Sequence, residues 1–116
     1  MGNLQDAAGA VAATTARLFL SKISSSYDVA DIIGFGSRIR GDNRPDSDLD
    51  LAVVLNGGRK DFLDTKLDMA NIAFDVLLET GLLIQPLPLW KDDILHPDQF
   101  PNPALIRNIS NEGAKL

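Results

Sequence analysis

The residues best equipped for chemistry lie in one stretch, GFGSRIRGDNRPDSDLDLAVVL, residues 34 to 55. Three glycines, three arginines and four aspartates are packed there between two apolar runs. Asp48 and Asp50 are two residues apart in a run that alternates like a strand, so their carboxylates project from the same face. Two hard anionic ligands held this way suit Mg²⁺, which accepts a few carboxylates and completes its octahedron with water and substrate phosphate. Unpaired, the two charges repel each other, and a divalent cation relieves the repulsion. At the other end of the stretch, Gly36 lets backbone approach a phosphate closely, and the Ser37 hydroxyl adds a donor. Arg38, Arg40 and Arg44 supply positive charge for a polyphosphate. A phosphate cradle and a metal clamp at the two ends of one turn are the parts that metal-assisted phosphoryl transfer requires.

Other phosphate and metal motifs fail on a residue their mechanism needs. A dinucleotide fingerprint would want glycine where Ile39 stands. Gly36 to Gly41 has P-loop spacing, but Asp42 and Asn43 occupy the positions of lysine and serine or threonine. Asp46 to Asp50 could open a calcium loop, but Leu51 falls at its glycine and Gly57 at its final glutamate. Arg44 and Asp46 also suit a turn around Pro45. His96, before Pro97, reads as a loop residue. Trp90 reads as packing, with stacking on a base as the alternative.

The flanking elements must hold this turn in place. Ala8, Ala12, Ala16, Phe19 and Ile23 recur at helical spacing between about residues 5 and 25, and Ser24, Ser25 and Ser26 end that helix. YDVADIIGF, residues 27–35, is a short apolar run bounded by glycine and suggests a buried strand. In DLDLAVVL, Leu49, Leu51, Val53 and Leu55 face one way, and Asp48, Asp50, Ala52 and Val54 the other. Asp61 is a candidate N-cap for a helix with the stripe Leu63, Leu67, Ala70, Phe74 and Leu77, closed by Gly81. LLIQPLPLW, residues 82–90, is a third strand whose Pro86 and Pro88 restrict it to an edge. Asn102 caps a last helix that starts at Pro103 and runs through Leu105, Ile106 and Ile109 to Gly113. The order α-β-β-α-β-α predicts a small α/β or α+β fold, with helices flanking a short mixed sheet.

Bulk properties narrow the function classes. A length of 116 residues fits one domain spanning 1–116. The net charge of −5 argues against a general nucleic-acid-binding surface. No apolar run is long enough for a membrane span, and the alanine-rich N-terminus lacks the basic flank of a signal peptide. The absence of cysteine removes disulfides and thiolate metal sites and is compatible with a cytoplasmic location. The sequence is compatible with a homo-oligomer.

The pattern resembles the signature of the DNA polymerase β-like nucleotidyltransferase superfamily, especially its minimal members. Gly36 and Ser37 are followed by ten residues and then by Asp48 and Asp50, with Arg38, Arg40, Gly41, Ser47 and Leu51 also matching. The C-terminal RNISNEGAKL looks like the final helix and glycine of small members. The resemblance implies a nucleotidyltransferase fold, with Gly36, Ser37, Arg38, Arg40 and Ser47 at the nucleotide and Asp48 and Asp50 as catalytic Mg²⁺ ligands. It implies transfer of a nucleoside monophosphate from ATP or another NTP to a hydroxyl, and a HEPN-domain protein as the partner in a toxin–antitoxin pair. It also implies a third carboxylate on the strand after the long helix, where Gln85 is the nearest residue. Glu79, Asp92 and Asp93 are substitutes in sequence only. An amide cannot accept a proton at neutral pH. The alternative reading is therefore a binding module with the nucleotidyltransferase fold and little or no turnover.

Overall fold

The computed structural model describes residues 7–41 and 48–116. The surroundings of Ala8, and the expected turn residues Arg44, Pro45, Asp46 and Ser47, lie outside the described side chains. Helix α1 (Ala7–Ile23) leads into strand β1 (Val29–Phe35), the short helix α2 (Ser37–Arg40) and strand β2 (Leu49–Leu55). Helix α3 (Phe62–Thr80) crosses to strand β3 (Ile84–Trp90). The short α4 (Lys91–Leu95), a 3₁₀ turn, α5 (Pro103–Glu112) and the two-residue β4 (Ala114–Lys115) complete the chain. The expected α-β-β-α-β-α order is thus present. The sequence reading missed α2, α4 and β4, which are too short to develop a period.

The four-stranded mixed sheet runs β3-β2-β1-β4. β1 is antiparallel to β2 and β4, whereas β2 and β3 are parallel, as a strand–helix–strand crossover dictates. β3 is an edge strand, as its prolines require. The N–H of Trp90, which has the same parity as Pro86 and Pro88, turns away from β2 and donates to Asp93 Oδ2 at 2.9 Å. The two prolines therefore sit where a missing N–H costs no ladder bond.

Alternation along β2 divides the interior in two. Leu49, Leu51, Val53 and Leu55 pack with Ala12, Ala16, Phe19 and Ile23 of α1 and with Met69, Ala73 and Val76 of α3. Ala52 faces the other way, against Leu89, Phe100, Ile106 and Ile109. Caps end the helices as read: Asp61 Oδ1 accepts from the Asp64 N–H at 2.9 Å, and Asn102 Oδ1 from the Leu105 N–H at 3.3 Å. Gly81 closes α3 at φ 80°. Among the described residues, no helix is long and apolar enough to cross a membrane.

The expected stripe of α3 is corrected. Its buried face is Thr65, Met69, Ala73 and Val76. Leu63, Leu67, Ala70 and Phe74 point to solvent, and Leu77 is half-buried. α3 carries two apolar rows, and the sheet takes the one containing smaller residues, which fits beside α1.

The second row of contacts on α3 is polar. Lys22 Nζ lies 3.2 Å from Glu79 Oε2, and the Tyr27 hydroxyl donates to Asp68. Burial, then the Asp68 carboxylate, push the Tyr27 hydroxyl from 10.0 up to about 12. The bond therefore contributes fully below the unfolded value and is lost as pH rises through about 12. Tyr27 is the sole tyrosine, so a tyrosinate absorbance titration reads it directly. The expected midpoint is near 12, and a midpoint near 10 would show that the contact is absent in solution.

Candidate active site at the open end of the β1–β2 ladder

The site grows out of strand register. Phe35, the last residue of β1, pairs with Asp50, and Asp50 pairs on its other side with Gln85 of β3. Beyond Phe35 the chain must turn at once, and Gly36 makes the turn at φ 79° and ψ −161°. That φ favours glycine, and a second constraint is tighter. A Cβ on Gly36 would lie 2.3 Å from Asp50 Oδ2. The Asp50 carboxylate thus lies directly against the Gly36 backbone. The Gly36 carbonyl accepts from the Ile39 and Arg40 N–H groups at 3.2 and 3.0 Å, closing one helical turn that begins at Ser37. The N–H of the first residue in such a turn has no acceptor within it, so this backbone is suited to an anion.

Asp48 immediately precedes β2, and its Oδ2 accepts from Gln85 Nε2 at 2.9 Å. The structure thus brings together Gly36, Ser37, Asp48, Asp50 and Gln85 from three segments of chain. Asp50 is half-buried, and its carboxyl is pushed above its ordinary value of 3.8. Burial is the main cause and the Asp48 charge the second, while Arg40 and Lys66 oppose the shift. Arg40, one of the predicted residues, is therefore electrostatically part of the site. Arg38 lies beside it in α2, and Ser47 is outside the described residues. Lys66 was not foreseen: it lies on α3, and no local motif links it to Asp50.

Other candidates are placed elsewhere. Trp90 is 2% exposed and packs in the main core, with the Arg59 guanidinium 5.3 Å from its ring centroid. This excludes the base-stacking reading. Asp93 is buried between the Trp90 N–H and Arg59, and Glu79 pairs with Lys22. Neither substitutes for a third carboxylate. His96 is exposed after α4, as a loop residue should be. Among the described residues, no group of three or more histidine, cysteine, aspartate or glutamate side chains converges on one point. Among the described residues, the donor set is the Asp48–Asp50 pair with the amide of Gln85 beside it.

Two outcomes follow from this geometry. Ionised Asp50 weighs against folding: its contribution is full below the ordinary carboxylate value and is lost as pH rises through the raised one. Asp50→Asn should therefore melt above the parent protein at pH 7, with the gap closing toward pH 3.8; a lower melting temperature at pH 7 would contradict the shift. Gly36→Ala should cost on the order of 1–3 kcal/mol by denaturant titration, through left-handed strain and the clash with Asp50. Wild-type stability in that variant would mean that the turn relaxes freely.

Comparison with known proteins agrees with the fold. No curated protein matches the chain. Among solved structures, a provisionally assigned nucleotidyltransferase from Sulfolobus solfataricus superposes with a TM-score of 0.58 at 19% identity, covering 99% of this chain and 89% of that one. This likeness supports the fold, a mixed sheet with flanking helices. The nucleotidyltransferase domain family matches residues 16–116, nearly the whole described chain and all of the site. On that match, the chain belongs to the nucleotidyltransferase domain family.

Proposed function

We propose that the protein is an Mg²⁺-dependent nucleotidyltransferase that moves a nucleoside monophosphate, AMP from ATP, onto a hydroxyl acceptor such as a partner protein's side chain. The observation that carries this reading is the convergence of Asp48 and Asp50 with the Gly36 turn, set by the pairing of Phe35 with Asp50. The donor set fits the metal: two hard carboxylates, of which Asp50 is pushed up by burial and then by the Asp48 charge, are a ligand pair that a cation would relieve. When bound, Mg²⁺ offsets the negative charge of the phosphates and of the transition state.

The chain's own residues then divide the work. Asp48 and Asp50 hold the cation. The Gly36–Ser37 backbone and the Ser37 hydroxyl receive phosphate oxygens, and Arg40 and Arg38 add positive charge beside them. The acceptor oxygen bonds to the α-phosphorus, the bond from the α-phosphorus to the bridging oxygen breaks, and pyrophosphate leaves. The proton of the acceptor hydroxyl passes to solvent water or to the leaving pyrophosphate. Gln85 cannot take it, since an amide has no proton-accepting capacity at neutral pH.

That last point favours a second reading. Gln85 stands opposite Asp50, on the strand where the family resemblance implies a third carboxylate, and its amide already donates to Asp48. In this reading the site binds nucleotide and metal but turns over slowly or not at all, and the protein acts by binding, as an antitoxin binds a HEPN-domain partner. General-base catalysis contributes about 10²–10⁴-fold, so such a loss slows transfer without abolishing the site.

Incubation with labelled ATP, Mg²⁺ and candidate hydroxyl acceptors tests both. Label transfer should fall at least about a hundredfold in Asp48→Ala and Asp50→Ala, and transfer unchanged in these variants would sink the enzyme reading. Gln85→Glu should raise transfer by about a hundredfold or more, within the general-base range. Vigorous wild-type transfer that Gln85→Glu fails to improve would remove the case for an impaired site.

A further inference from the structure

We propose that the outer face of α3 is a docking surface for an amphipathic helix of another protein, one whose apolar face is edged by lysine or arginine. The proposal does not depend on whether the nucleotidyltransferase site turns over. α3 is amphipathic twice. With Thr65, Met69, Ala73 and Val76 turned inward, Leu63 (61% exposed), Leu67 (56%), Phe74 (54%) and Leu78 (71%) form an uncovered row on the opposite face. Scattered exposed leucines need no explanation, but a contiguous row marks an interaction site.

Spacing identifies the shape of the occupant. Leu63, Leu67, Ala70, Phe74 and Leu77 follow each other at four, three, four and three residues, the seam spacing by which one helix accepts another. Ala70, small and exposed at the centre of the row, allows a partner helix to approach closely.

Charge identifies the occupant's chemistry. Each large exposed apolar residue is followed by an acid: Leu63–Asp64, Leu67–Asp68, Phe74–Asp75 and Leu78–Glu79. At about 100° per residue, this places an acidic row along one flank of the apolar one. Asp68 is engaged by Tyr27 and Glu79 by Lys22, while Asp64 and Asp75 are exposed. Lys66 is the sole cation on the helix. A second copy of this chain is disfavoured, because two-fold antiparallel pairing sets like flank against like flank. It would bring Asp64 of one copy beside Asp75 of the other, in a protein already carrying −5. A helix with a basic edge satisfies both rows at once.

The test uses the intact protein and two labelled helical peptides of about three heptads with identical apolar seams. One carries lysine at the positions flanking the seam, the other glutamate, and binding is read by fluorescence anisotropy. The lysine peptide should bind, with the glutamate peptide at least about tenfold weaker. Leu67→Ser with Phe74→Ser should weaken binding at least about tenfold, and Asp64→Gln with Asp75→Lys should remove the preference for lysine. Both variants should keep the parent melting temperature, since the substituted side chains are exposed. Equal affinity for the two peptides, no binding of either, or binding untouched by the α3 substitutions would overturn the proposal. So would sedimentation as a dimer that Leu67→Ser with Phe74→Ser dissociates, because the occupant would then be a second copy.

Discussion

The site depends on one constraint, the backbone register that locks Phe35, Asp50 and Gln85 into a row across three strands. A slip of one residue in β2 would move Asp50 to the α1–α3 side of the sheet and turn Leu49 and Leu51 out of the core. Four leucine and valine side chains on one face of β2 thus hold two aspartates on the other. The catalytic candidates are placed by hydrophobic burial far larger than any interaction they make themselves.

Within that frame, the local arrangement works against stability. The Asp50 carboxylate is partly buried beside a like charge and lies against a glycine in the left-handed region. A fold under no functional demand would replace such a pair with neutral or apolar side chains. Arg40 and Lys66 relieve only part of the cost, and a bound cation would relieve more. The amide of Gln85 satisfies one Asp48 oxygen without adding a third negative charge. Gln85 is therefore gentler on the folded protein than a carboxylate and poorer for chemistry, and this is why the two functional readings separate at that residue.

Helix α3 shows why a sequence pattern can be correct in kind and wrong in place. Periodicity reported a long amphipathic helix with a cap at Asp61 and a close at Gly81, and all of that holds. It also selected the stronger apolar stripe as the core face, which is the face left in solvent. Hydrophobicity records that a side chain prefers to leave water. It does not say whether the chain itself or another protein provides the shelter.

What the sequence determined by itself was whatever is encoded over short range. The glycine–serine turn and the paired aspartates were legible, because chemistry at fixed spacing leaves a local signature. So were the edge strand forced by Pro86 and Pro88, and the caps at Asp61 and Asn102. Tertiary structure alone decided which row of α3 is buried, that Lys66 shares the field of Asp50, and that Asp93 is structural. It also decided that Gln85 bonds to Asp48, across the parallel pairing of β2 with β3. These are contacts between residues far apart in the chain, set by sheet register and helix packing, and no short window of sequence carries them.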